Sequence, residues 1–250
     1  MAGFPSTAFV VGATSGIGRA LADRLRASGR TVVIGGRNRD ALAELSSDGY
    51  PTVEVDVSEP ESVRGACEEV ITRHPSLGAL ITMAGVVIAD DVRDEAHISH
   101  LRAMFDVNFM GTALLIDALL PQFLSQGSAR IVTVGSARAF VPSPQLPGYA
   151  ASKAAVHMYT EVLRVQLAGT GVDVTELIPP PVALDEQAEQ RNPDAMKLDD
   201  FVDQAAEALL HGPVTAEILV GRARQWRNAE RDGIYRQLLR ERIAQSPRYG

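Results

Sequence analysis

One cysteine, Cys67, and two lysines, Lys153 and Lys197, are all that 250 residues contain of those types. A lone thiol cannot close an internal disulfide, and its place in a helical pattern makes it a small packing residue rather than a nucleophile. No uninterrupted apolar run reaches the ~18 residues that cross a bilayer, and the N-terminus has no charged-then-apolar leader, so a cytoplasmic protein with no membrane partner is expected. Metal ligands do not gather either: His97 and His100 stand at i,i+3 without further ligands at metal spacing, so both read as surface or helix-face histidines and no metal is expected. A formal net charge of −7 argues against a nucleic-acid partner. What remains is a chain with 46% hydrophobic residues, enough for a substantial core, read as one domain over 1–250.

Strands and helices alternate along it. Ala8 to Val11, Thr31 to Gly35, Pro51 to Val55, Ala79 to Thr82, Arg130 to Val134 and Val172 to Ile178 read as six short apolar strands. Between them come helical patterns at Arg19 to Leu25, Arg39 to Ser46, a run ending at Arg73, about 94 to 124, and 149 to 168. Ser58 followed by Glu61 predicts a capping box at the start of the third helix. Buried strands joined by helices imply an α/β fold, a doubly wound parallel sheet with helices on both faces and ligands at the strands' carboxyl ends. The stretch Pro179 to Leu198 is the one irregular segment, rich in Pro, Asp, Glu and Gln.

Two local patterns carry chemistry. Tyr149 and Lys153 stand four residues apart, which stacks them on one helical face where an ammonium can acidify a phenol. The alternative is an exposed helix bearing an unrelated Tyr and Lys. Gly12-Ala13-Thr14-Ser15-Gly16-Ile17-Gly18 follows the first strand and opens a helix. Glycines let backbone approach a pyrophosphate, and unpaired amides at the helix N-terminus favour its charge. Glycines also end strands for steric reasons alone.

With these residues the chain resembles the short-chain dehydrogenase/reductase family, over about residue 6 to about residue 220. The family pattern Thr-Gly-x-x-x-Gly-x-Gly is matched with Val11 in place of the Thr, and Ser136, Tyr149 and Lys153 fall at family spacing. Asn108 matches the family's helix asparagine, and Asp56-Val57 its adenine-binding pair. Glu217 to Gly221 with the Arg-rich stretch after it looks like a subgroup named for association with D-alanylation of cell-wall polymers, a label that says nothing about substrate. The resemblance implies a Rossmann-type fold and an oxidoreductase. Tyr149 would be the acid or base, Ser136 would bind the reacting oxygen, Lys153 would hold the nicotinamide ribose, and Asn108 would help order a water. The plainer alternatives are a loop-capping hydroxyl for Ser136, a helix kink for Asn108 and an ordinary turn carboxylate for Asp56.

Cofactor preference follows from the end of the second strand. A carboxylate there would bond both ribose hydroxyls of NAD, whereas an Arg grips the extra phosphate of NADP. The chain offers Gly35-Gly36-Arg37-Asn38-Arg39 with no acid at the turn, so NADP(H) is expected, with Arg37 the principal contact and Arg39 a second. Both could instead be solvated arginines. The expected cofactor wall comprises Gly12, Thr14, Ser15, Gly16, Ile17, Gly18, Arg37, Arg39, Asp56, Val57, Ala84, Gly85, Tyr149, Lys153, Pro179 and Val182. Two departures stand out: Met83-Ala84-Gly85 lacks the family's Asn, and Pro179-Pro180-Pro181 replaces the family's Pro-Gly and removes backbone donors.

A ketone or secondary alcohol is the expected substrate, in a mostly apolar pocket of Ala139, Phe140, Val141, Pro144, Leu146, Val86, Val87 and the 179–198 substrate loop. Acidic residues in that loop would either discourage anions or simply face solvent. Apolar residues such as Met104, Phe105, Met158 and Leu163 suggest burial against another subunit, hence a homo-oligomer, dimer or tetramer. The extension 222–245 reads as an amphipathic helix docked on the domain or a neighbour. The competing functions are a catalytically silent nucleotide sensor or scaffold, and an epimerase or dehydratase using the same groups.

Overall fold

Thr7–Val11 (β1) is buried along its whole length, as a β-branched and aromatic run between two partners must be. The computed structural model describes residues 3–192 and 194–245. Residue 193 of the expected substrate loop, with 1, 2 and 246–250 of the expected domain, lies outside the described residues. β1 pairs in parallel with β2 (Thr31–Gly36) on one side and β4 (Ala79–Thr82) on the other. β3 (Thr52–Glu54), β5 (Ala129–Val134), β6 (Val172–Ile178) and β9 (Glu217–Leu219) complete a seven-stranded parallel sheet in the order β3-β2-β1-β4-β5-β6-β9.

β9 is the strand that sequence reading passed over. It is three residues long at the sheet edge, too short to carry periodicity, and its place is decided by pairing with β6 from Glu176 to Ile178. The irregular stretch is also more ordered than expected. Val182–Ala183 (β7) and Met196–Lys197 (β8) pair in parallel around α7 (Glu186–Arg191), which Asp185 caps through the amide of Ala188.

Both faces of the sheet are covered. On one, α1 (Gly16–Ala27), α2 (Arg39–Ser47) and α8 (Leu198–Leu210) bury Leu21, Leu25, Leu42, Phe201 and Val202 against Val10, Ile34 and Ile81. On the other, α3 (Pro60–Arg73), α5 (Gly111–Gln126) and α6 (Pro147–Gln166) bury Val63, Leu115, Phe123 and Leu163 against Phe9, Val33, Leu80 and Ile131. Alternate residues of each strand thus feed opposite cores. The predicted capping box does not form: Glu59 is the cap residue without a side-chain bond, Pro60 occupies the first turn, and the Ser58 hydroxyl donates to Asp56 instead.

The expected long helix runs without interruption from His97 to Gln126 and carries a π turn: α4 (His97–Phe105), the π turn (Asp106–Met110) and α5. By length and hydropathy the run His97–Gln126 could cross a membrane. Its apolar residues Leu115, Ile116, Leu119 and Phe123 are instead fully enclosed against the sheet, which is the property of a core helix. The extension is docked on the domain as two short helices, α9 (Ala223–Arg227) and α10 (Tyr235–Ala244). There Trp226 and Leu238 pack on Ala137, Val141 and Ile178.

Candidate functional site

The strand order reverses direction between β1 and β4, and a cleft of about 740 Å³ opens above their carboxyl ends. Its floor is the glycine turn. Gly12 has φ +88, and a Cβ there would meet the Ala84 amide nitrogen at 2.4 Å. A Cβ on Gly18 would meet the Gly12 carbonyl at 2.2 Å, so α1 begins as close to β1 as backbone permits. Ser15 precedes α1 with no side-chain cap bond, which leaves the first amides of the helix facing the cleft without side-chain acceptors. Thr14 packs on Gly36, where a Cβ would meet its methyl group at 2.6 Å. This backbone cradle fits a dinucleotide pyrophosphate.

At the β2 end of the cleft the structure separates two arginines that the sequence put together. Arg37 lines the cleft, opposite Asp56. Arg39 is turned to Glu54 on β3 at 2.8 Å and does not join the described lining. The acid that competes for it lies across the sheet, in a neighbouring strand that sequence distance conceals. Asp56 Oδ1 accepts from the amide and hydroxyl of Ser58, and these bonds hold its carboxyl below the usual range. Val57 packs over Gly111, where a Cβ would meet it at 2.7 Å. Ala84, Gly85, Pro179 and Val182 also line the cleft, and Leu184 reaches over Gly16 from the 179–198 loop. Met83 fills the place of the missing Asn by packing on the apolar core.

At the β5 end Ser136, Tyr149 and Lys153 converge. Ser136 follows β5 and opens a 3₁₀ turn, Ala137–Ala139, accepting the Arg138 amide at 3.2 Å. It is therefore a cap, as the plainer reading had it, yet acceptance leaves its own proton free to donate. Tyr149 and Lys153 are one turn apart on α6, with the ammonium 6.0 Å from the ring centroid. Lys153 Nζ donates to the Val134 carbonyl at 2.7 Å. Burial lowers its pKa to about 8, opposed by the negative charge of Glu176.

Burial pushes the Tyr149 phenol above its ordinary value, and the Ser136 hydroxyl and the Arg138 guanidinium pull the other way. A neutral phenol near neutral pH suits donation better than abstraction. Asn108 lies in the π turn, fully buried. Its side chain accepts the Val86 amide at 2.7 Å and donates to the Val86 carbonyl and the Ser152 hydroxyl, each at 3.0 Å. Ser152 in turn donates to the Tyr149 carbonyl. The side chain thus braces the segment after β4 to α6.

Sequence reading missed two charged residues. Glu176 sits in a strand of apolar neighbours, and its burial demands a partner. His157 supplies one at 2.7 Å. The other oxygen, Oε1, has no partner among the described residues and lies where a Cβ on Gly135 would be 2.0 Å away. An acid within a buried strand was the available signal. Arg138, two residues after Ser136, lines the cleft, whereas Ala139 and Phe140 line a separate depression with Trp226 and Arg227. Val141 is buried against Trp226, and Pro144 is absent from the described lining. The apolar wall is therefore Val86, Val87, Leu146 and the 179–198 loop.

His97 and His100 both bond the buried Asp90. His157, Glu161 and Glu217 bring ligand atoms within 4.8 Å of one another, but Glu161 is paired with Arg164 and Glu217 with Arg227. Burial pushes the Cys67 thiol up to about 12, so it stays a packing residue.

Comparison with known proteins agrees with this geometry. An uncharacterized oxidoreductase of Staphylococcus aureus strain MW2 is 35% identical over 208 residues, covering 82% of this chain and 89% of its own. One from Staphylococcus saprophyticus is 36% identical over 179 residues, covering 69% and 76%. Among solved structures, a short-chain dehydrogenase from Streptomyces avermitilis superposes with a TM-score of 0.82 at 24% identity, covering 98% of each chain. One from Burkholderia cenocepacia, in complex with NADP, gives 0.80 at 27% identity, covering 94% of this chain and 98% of its own. The sequence model described as short chain dehydrogenase matches residues 6–195. A glycine cradle at the strand crossover and a Ser, Tyr and Lys set at the other end of the same cleft thus accompany a match over most of the chain, which belongs to the short-chain dehydrogenase family.

Proposed function

We propose that this protein is an NADP(H)-dependent oxidoreductase acting on a ketone or the corresponding secondary alcohol. The observation that carries the reading is the convergence of Ser136, Tyr149 and Lys153 in the cleft whose far end is the Gly12–Gly18 cradle. The reduced or oxidised nicotinamide supplies or accepts the hydride. The chain's own residues do the rest. The cradle and the α1 amides hold the pyrophosphate, Arg37 pairs with the 2′-phosphate, and Asp56 receives the adenine amine through the oxygen that Ser58 leaves free.

The reacting carbonyl oxygen sits between the Ser136 and Tyr149 hydroxyls. Ser136 donates to it, because its acceptor side is occupied by the Arg138 amide, and it stabilises the negative charge that develops there. Tyr149, kept neutral by burial, gives its proton to that oxygen in reduction. In the opposite direction the phenol must lose a proton, and the positive charges of Arg138 and Lys153 favour its anion. Lys153 holds the nicotinamide ribose, and Asn108 fixes the backbone at Val86, after β4, against α6 so that the phenol is correctly placed. The 179–198 segment closes the substrate side without a carboxylate in the cleft lining: Asp185 caps α7, Glu189 faces Lys197 and Asp194 pairs with Arg222.

The protein also acts as a homo-oligomer in this reading. Met104 and Leu163 are buried within the subunit, but Met158, Val162 and Val165 on α6 are exposed, with Met158 at 63%. Light scattering at working concentration should show more than one subunit; a monomer removes this part of the reading. The main test is a panel of ketones and alcohols followed at the reduced-nicotinamide absorbance with NADPH and NADH side by side. Turnover with NADPH preferred is the expected result. A preference for NADH that persists in Arg37→Ala overturns the cofactor assignment, and no turnover on any carbonyl overturns the reaction.

A further inference from the structure

Arg138 is a guanidinium with no paired anion among the described residues. Among the described residues it makes no ion pair and no side-chain hydrogen bond, and its Nη1 is fully enclosed with no partner. The charged groups that act on it or on which it acts are the Tyr149 phenol and the arginine Arg242. The acids of that cluster, Asp194 and Glu241, act on Arg222 and Arg242, and among the described residues none pairs with Arg138. Arg222 has Asp194 at 3.1 Å, and Arg242 stacks on Trp226 at 3.7 Å. A partly buried, unpaired guanidinium is costly, because it forgoes water without gaining an acceptor. A ligand that brings a negative charge to the cleft side of the guanidinium offsets the charge part of that cost.

The position of Arg138 says which ligand. The cofactor's phosphates belong at the Gly12–Gly18 cradle and Arg37, at the other end of the cleft. Arg138 stands two residues after Ser136, its amide bonded to the Ser136 hydroxyl, on the wall that also carries Tyr149. The loop facing it contributes Val182, Ala183, Leu184, Ala188, Asn192 and Ala195 to the cleft and no carboxylate. The planar fork of a guanidinium matches a carboxylate in bidentate fashion.

We propose that the substrate is an oxo acid, or the corresponding hydroxy acid, whose carboxylate binds Arg138 while its carbonyl oxygen lies between Ser136 and Tyr149. This deepens the reductase reading and rests on it. The rest of the molecule is apolar, because Val86, Val87, Leu146 and Leu184 form the remaining wall. None of the loop's acids, Asp185, Glu186, Glu189 and Asp194, lines the cleft: Asp185 caps α7, Glu189 faces Lys197 and Asp194 pairs with Arg222.

The test compares 2-, 3- and 4-oxo acids of five to eight carbons with their methyl esters, under NADPH, in the wild type, Arg138→Leu and Arg138→Lys. Calorimetric titration of the NADPH-loaded protein with oxamate and with ethyl oxamate gives a readout without turnover. In the wild type, kcat/KM for at least one acid should exceed that of its ester by on the order of 100-fold. That ratio should fall to near one in Arg138→Leu and recover in part in Arg138→Lys. Were Arg138 only to tune the phenol, acid and ester would lose rate together and the ratio would survive, which overturns the proposal. Esters reduced as well as or better than acids in the wild type overturn it too while leaving the reductase intact. Oxamate binding that disappears in Arg138→Leu, with no carbonyl reduced, would uphold the anion site and sink the reductase. Neither binding nor turnover would sink both.

Discussion

At the Gly12–Gly18 end of the cleft the walls are backbone, held close because side chains are missing; at the Ser136–Lys153 end they are buried side chains with charge. The first end offers fixed amides and the start of a helix, which do not titrate. The second offers a phenol raised by burial, a lysine lowered by burial, and an arginine with no paired acid among the described residues. Specificity for a phosphate needs only geometry and a dipole, whereas proton transfer needs groups whose charge can change. Substitutions at the two ends should therefore fail differently.

The largest expected effect is on chemistry alone. Tyr149→Phe keeps the ring and removes the proton donor, so kcat should fall about a thousandfold with the dissociation constant for NADPH unchanged. Steady-state rates with a fluorescence titration check this. Near wild-type turnover would mean that the catalytic end is misassigned.

Lys153 offers a second break, through pH. Its folded value of about 8 lies below the 10.5 of the free side chain, so between those values the unfolded chain binds more protons than the folded one. Stability of the cofactor-free protein should therefore rise with pH across that window, by about 3 kcal/mol from this group. Lys153→Met should lose the rise, as read by denaturant unfolding at several pH values. Removing the opposing charge in Glu176→Gln should move the window to lower pH. His157, Tyr149 and Arg138 are the other titratable or charged groups in that neighbourhood, and they are present in both proteins being compared.

The backbone end should respond in binding rather than chemistry. Gly18→Val places a branched side chain against the Gly12 carbonyl, which a Cβ already meets at 2.2 Å. Its dissociation constant for NADPH should rise on the order of 100-fold, with a lower Tm. Arg37→Ala should narrow the preference for NADPH over NADH about tenfold. The smallest effect belongs to Arg39→Ala, where pairing with Glu54 already occupies the guanidinium and the same preference should change by less than about twofold. Equal losses from the two arginines would show that Arg39 leaves Glu54 when the phosphate arrives.

The same contrast explains how much could be read from the chain. The glycine turn is local: strand, turn and helix follow within twelve residues or so, and its function depends on spacing along the backbone. Tyr149 and Lys153 were legible because helical periodicity makes a four-residue separation a spatial neighbour. Ser136 and Asn108 were found by resemblance, and only packing showed that one caps a turn while the other spends its amide on Val86 and Ser152. The pairing of Arg39 was hidden because its partner Glu54 is fifteen residues away and meets it only through the pairing of β2 with β3. Phe140 and Val141 were assigned to the pocket by proximity to Ser136, but the 3₁₀ turn sends them to the extension around Trp226.

What the sequence by itself determined, then, is whatever depends on period and spacing: the alternating strands and helices, the cradle, and the Tyr and Lys on one helical face. What only the tertiary structure decided is which charges meet. Glu176 finds His157, Arg39 finds Glu54, and Arg138 finds no acid among the described residues, because sheet order and helix packing bring together residues far apart in the chain. Periodicity is a property of the backbone and survives in a linear string. Electrostatic pairing and desolvation depend on distances in three dimensions, and these exist only once the chain has folded.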